Sequence, residues 1–183
     1  MFERFLPTAL FRGQFKSLSD YRGKKVRGAW AERIIVFASP IAAYLLLWLN
    51  NATISDPDSL LAGVSLFAGA LLAAFAQLSA WRDRLTERAT RYELTESPDR
   101  DALDETATHL LAASYMSALT AGLLIISLNV ASDELGNIGG PWAWLSAASG
   151  TYVFIVFIIA IPRLYKNYTS INKVRRALSG TPS

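Results

Sequence analysis

His109 is the single histidine in the chain, and Glu105 stands four residues before it, beside Asp104 and Thr108. Residues spaced i,i+4 share one helix face, so this pair could hold one side of a metal ion or pass a proton. A zinc site needs about four ligands, and the sequence offers no second histidine, no HExxH pattern and no cysteine. The reading that follows is a structural histidine, hydrogen-bonded at an interface. The acids Asp99, Asp101, Asp104 and Glu105 lack the glycine and ligand order of a calcium loop. They lie just after Ser97 and Pro98, where they complement the positive end of a starting helix. Glycine-rich phosphate loops, a Gly-x-Ser-x-Gly elbow and a Ser/Lys dyad inside a membrane segment are all missing. The expectation is a protein with no catalytic, cofactor-binding or metal-binding residues and no enzymatic activity.

The elements that carry these residues are set by the distribution of charge. The chain has 18 Lys and Arg among 183 residues and is 52% hydrophobic, with a mean hydropathy of +0.26. Eight of those bases occur up to Arg33, five from Arg82 to Arg100 and five from Arg163 onward. Residues 50 to 59 and 131 to 141 contain none, and hold only Asp56, Asp58, Asp133 and Glu134 as charges. Short loops rich in Lys and Arg stay on the cytoplasmic side of a membrane. Four long apolar runs separate the segments, at about 29–49, 60–81, 109–130 and 142–161. Each matches the roughly 20 helical residues that cross a hydrocarbon core about 30 Å thick. All five tryptophans fall at span ends: Trp30 and Trp81 inside, Trp48, Trp142 and Trp144 outside. Amphipathic indole rings settle at that level.

The fold class expected is therefore an all-α integral membrane protein, a four-helix transmembrane bundle with both termini cytoplasmic, set in a bacterial inner membrane. Residues 1–28 read as a basic amphipathic segment, 29–162 as the membrane domain and 163–183 as a basic cytoplasmic tail. The first span is expected to be retained, because its leader is too long and too basic for a signal peptide and Trp48-Leu49-Asn50-Asn51 is a poor cleavage site. Residues 82–108 read as a cytoplasmic helical hairpin, with Glu87 paired to Arg84 and Arg91, and Ser97-Pro98-Asp99 opening its second arm. The hairpin would stand about 15 to 20 Å clear of the bilayer at 1.5 Å per residue. Phe2, Phe5, Leu6, Leu10, Phe11 and Phe15 recur at spacings of three and four between bases, which predicts a helix lying in the inner interface.

Candidate interaction residues follow from helix packing in lipid, where close approach of small side chains replaces the hydrophobic effect. Three rows fit: Ser65, Gly69, Ala73 and Gln77; Ser114, Ala118 and Gly122; and Ser146 with Gly150. They would hold the helices of one chain together or join copies into a homo-oligomer. Gln77 wants a partner across a helix contact. No Asp, Glu, Lys or Arg lies between Ile34 and Leu49, Leu60 and Trp81, Leu110 and Val130 or Trp142 and Ile161, at the depth where transporters need an ionisable group. Tyr44, Thr120, Ser127, Asn129, Thr151 and Tyr152 could line a weakly polar seam. Pro40, next to Ser39, predicts a kink. Arg12, Lys16, Arg22, Lys24, Lys25, Arg27, Arg84, Arg88, Lys173, Arg175 and Arg176 are candidates for anionic lipid headgroups of the inner leaflet or for a cytosolic protein partner. Nucleic acid is not an expected partner.

The functional expectation is an oligomeric membrane anchor or scaffold that presents cytoplasmic helices to a cytosolic partner. The alternative is a pore-forming or membrane-disrupting effector, in a bacterial anti-phage defence or toxin system. A small-solute or lipid carrier subunit is a third outline.

Overall fold

A computed structural model describes residues 8–17, 27–89 and 97–171. Five helices make up nearly all of it: α1 (Thr8–Ser17), α2 (Arg27–Leu49), α3 (Pro57–Ala89), α4 (Ser97–Val130) and α5 (Gly140–Ile171). Among the described residues extended pairing is limited to two isolated bridges, Ile54 with Ile138 and Ser132 with Ile138.

Among the described residues three helices are long and apolar enough to cross a membrane, over Pro57–Arg84, Asp101–Val130 and Gly140–Thr169. The run expected to cross first falls on α2, a helix of 23 residues whose described apolar stretch is Arg33–Leu49. Helix ends also overrun the predicted spans. α3 starts at Pro57 because Asp56 caps it: the Asp56 carboxylate accepts from the Ser59 backbone N–H at 3.1 Å and from the Ser59 hydroxyl at 2.6 Å. Pro57 then takes the first helical position, where its missing N–H costs nothing. α5 runs through Pro162 to Ile171, ten residues beyond the expected end.

Neighbours along the chain are not always neighbours in the packing. α4 packs along α3 and α5, and α2 lies against α5, so the chain neighbours α2 and α3 do not form a packed pair. The buried core sits at the seams of α3, α4 and α5, with Leu71, Leu78, Leu103, Leu110, Val153 and Val156 almost wholly enclosed and Val36 reaching in from α2. Outward faces are apolar: Ile34, Ile41, Leu46, Leu66, Ile125 and Phe154 are all exposed. An exposed apolar surface of this extent is a site of association with lipid or protein.

At the loop end the two short connections are fastened to each other. Ile54 N–H donates to the Ile138 carbonyl at 2.8 Å and Ile138 N–H returns to Ile54 at 3.0 Å. Trp144 Nε1 donates to the Ala52 carbonyl at 2.8 Å. A side chain at Gly139 would meet the Thr53 methyl at 3.3 Å, so the loops approach as closely as glycine allows. Gly136, at φ +80°, turns the second loop in a conformation that glycine adopts without strain.

Candidate functional site

The opposite end of the molecule carries the bases and is joined by side chains. On α3 and α4, Arg82 and Asp104 form an ion pair at 2.9 Å, with a second guanidinium nitrogen at 3.4 Å. Both groups are partly exposed. From α5, Asn167 donates its amide to the Thr106 hydroxyl at 2.9 Å and to the Ala102 carbonyl at 3.3 Å. The Trp81 and Tyr168 rings meet with centroids 6.0 Å apart. Three helix ends are thereby tied in one layer by an ion pair, an amide and two aromatic rings.

His109 lies one turn further in and is 2% exposed, at the seam with α5 and within electrostatic reach of Arg163. Among the described residues no group of three His, Cys, Asp or Glu side chains gathers in a way that could hold a metal ion. Asp99 and Asp101 lie in the first turns of α4, whereas Asp104 is drawn to Arg82.

α1 does not lie apart from the other helices. It packs on α4, with the Phe11 ring edge-on to Tyr115 at 6.0 Å and Gly13 against the Thr108 methyl. Gln14 is 1% exposed, and the Tyr152 hydroxyl of α5 donates to its side-chain oxygen at 2.6 Å. On the α2 side, Arg33 donates to the Phe15 carbonyl at 3.2 Å and sets its guanidinium 4.4 Å from the Phe15 ring centre, while Phe15 also meets Phe37. A cation over an aromatic face is favourable, more so where water is scarce. α1 is thus a wedge between α2 and α4, resting on α5. Its amphipathic spacing was legible in sequence, but an apolar face fits a lipid interface and a protein groove equally well.

The small-residue rows divide. Ser146 is buried and Gly150 faces Thr120, so this row lies in the α4–α5 seam. Ser65, Gly69, Ala73 and Gln77 all face outward from α3 and hold no other described helix. The Ser114, Ala118 and Gly122 row is intermediate: Ala118 is exposed, Gly122 has open space before it, and the Ser114 hydroxyl returns to its own helix at the Leu110 carbonyl. The α4 positions that meet α5 are instead Ala113, Ser117 and Thr120, with the Thr120 and Ser149 hydroxyls 2.8 Å apart. These carry the same small-residue signal in another register, and composition does not say which register wins.

Among the candidate bases, Arg12 is exposed on α1 and Arg84 on α3, and Lys16, Arg27 and Arg88 belong to α1, α2 and α3. Arg22, Lys24, Lys25, Lys173, Arg175 and Arg176 lie outside the described residues. Tyr44 stacks edge-on with Trp144 at 6.3 Å. The Ser39 hydroxyl, next to Pro40, bonds the Ile35 carbonyl at 2.6 Å.

Two apolar recesses flank the α4–α5 seam, one of about 400 Å³ beside α3 and one of about 410 Å³ beside α2. At the loop end the Asp133 carboxylate lies below its usual range, chiefly through the Asn137 side-chain amide and then the backbone N–H groups of Asn137, Leu135 and Gly136. Asp56 is lowered by the Ser59 hydroxyl and N–H. Both act as turn and cap acceptors. No family model, curated protein or solved structure matches the chain.

Proposed function

We propose that the chain is a non-enzymatic membrane anchor that crosses the bilayer four times, keeps its basic end in the cytoplasm and presents that end to a cytosolic protein. The supporting observation is length combined with fastening. α3, α4 and α5 have 33, 34 and 32 residues, and each is roughly 50 Å long at 1.5 Å per residue. A hydrocarbon core of about 30 Å leaves on the order of 15 to 20 Å of each helix beyond it. The excess lies at the basic end, where Arg82, Asp104, Asn167 and Thr106 hold the helices in register. A pre-ordered polar platform costs less entropy to bind than a floppy one. α2 makes the fourth crossing in this reading, with Arg33 reaching the inner boundary and its stem covering apolar surface.

Affinity capture from gently solubilised membranes tests it. The intact chain is expected to retain a cytosolic protein that Arg84→Glu with Arg88→Glu loses, while the variant stays in the membrane fraction. Capture of nothing dependent on residues 82–108 overturns the anchor reading. Cysteine labelling at residues 51 and 137 from the outer side alone tests the orientation.

A second reading follows from α3. Ser65, Gly69, Ala73 and Gln77 form a row of small and polar side chains on a face with no partner among the described helices. A primary amide facing hydrocarbon is costly, so copies packed through this row would satisfy it, and a ring of copies would bring Gln77 around a weakly polar path. Single-channel current in planar bilayers, abolished by Gln77→Leu, would favour a pore over a silent anchor.

A further inference from the structure

The recess beside α2 lies on α5 in the half of the molecule nearer the loop end. Pro40, Ile41 and Leu45 of α2, Met116 of α4, and Ala148 and Tyr152 of α5 wall it. α2 and α4 do not form a packed pair, so a groove runs between them along α5. α1 fills the other half of that groove. Tyr152 belongs to both halves, because its ring walls the recess while its hydroxyl is bonded to Gln14 of α1.

Three contents are conceivable for the open half. Water requires two to four polar partners, yet the wall is almost wholly apolar, the Ser149 hydroxyl is bonded to the Ser146 carbonyl and that of Tyr152 to Gln14. An empty recess would forfeit dispersion contacts over its whole lining. Hydrocarbon suffers neither penalty. Ile41, Leu45 and Leu145 at the rim are exposed, so acyl chains border the opening once the helices are in a bilayer. The volume falls within the range of small-molecule pockets, roughly 300 to 1,000 Å³.

We infer that this recess binds the hydrocarbon chain of a membrane lipid, which enters sideways between α2 and α4 and stops at Tyr152 where α1 closes the groove. The inference rests on the membrane reading above and adds a specific ligand site to it. Ala148 offers only a methyl group to the space, and Pro40 removes a backbone donor from α2 at this level.

The test uses the full chain in phospholipid vesicles that contain a lipid with a photoactivatable diazirine on its acyl chain, followed by peptide mapping. Label is expected on the Ala148–Tyr152 segment as well as on outward residues such as Leu66 and Ile126. Ala148→Phe, which fills the recess, is expected to reduce the first signal to background and leave the second unchanged. Should that variant fail to fold, as judged by an altered outward pattern, Ile41→Phe at the exposed rim narrows the opening and is expected to give the same selective loss. Outward label without any at Ala148–Tyr152, or recess label that persists in the folded variant, overturns the inference and leaves the membrane reading standing. Absence of label everywhere removes the membrane reading and this inference together.

Discussion

The two ends of the molecule are held by different chemistry. At the loop end the backbone does the joining: Ile54 and Ile138 exchange two N–H···O bonds, and Asp56 and Asp133 accept local donors. At the basic end the joining is done by side chains, Arg82 with Asp104 and Asn167 with Thr106. Backbone pairing around a buried residue is fixed in geometry and survives most surface changes. Partly exposed side-chain pairs are weak and exchangeable, as the proposed partner-binding surface requires. One end is a clasp and the other a platform.

The largest effect is expected from breaking the clasp. Ile138 is completely buried between the loops and the ends of α4 and α5, and Ile138→Ala should destabilise the protein by about 2 to 4 kcal/mol, read from denaturant unfolding in detergent. Trp144→Phe keeps most of the ring but loses the bond to the Ala52 carbonyl. A cost of about 1 to 2 kcal/mol is expected in the same assay, with faster hydrogen exchange confined to residues 51 to 56.

Breaking the platform should do less to stability. Arg82 and Asp104 are 40% and 57% exposed, so a double-mutant cycle with alanine is expected to give a coupling below about 1 kcal/mol that fades with added salt. A coupling as large as the Trp144 effect would erase the distinction between the ends. The smallest effect concerns pH. The folded-state pKa values of Asp56 and Asp133 are depressed below 3.8, so their contribution is complete above the ordinary carboxylate range and is lost as pH falls through the depressed values. Amide signals of Ser59, Leu135 and Asn137 should shift together below about pH 4.

The long helices were legible because apolar length and charge sorting are properties of composition, and lipid imposes them on any sequence. The Asp56-Pro57 helix start was also there to read, as a turn signal whose capping role needed only the Ser59 donors. Packing partners were not legible. In lipid both the outward and the inward faces of a helix are apolar, so Ser65-Gly69-Ala73-Gln77 and Ala113-Ser117-Thr120 carry the same signal although one faces out and the other in. The side of α5 on which α2 rests, and the docking of Gln14 beneath Tyr152, depend on contacts such as Tyr44 with Trp144 and Tyr152 with Gln14, between residues far apart in the chain. Local spacing says nothing about them. His109 and Glu105 share a helix face as their spacing implies, but only the fold shows His109 buried at the seam with α5.

α2 rests on α5, the last of the described helices in chain order. During biogenesis α2 therefore leaves the ribosome well before the helix it packs on, and it lacks that protein neighbour until synthesis has passed Ile171. A stall or cleavage between Val130 and Gly140 leaves it without that seat, so the arrival of α5 completes the assembly of α2.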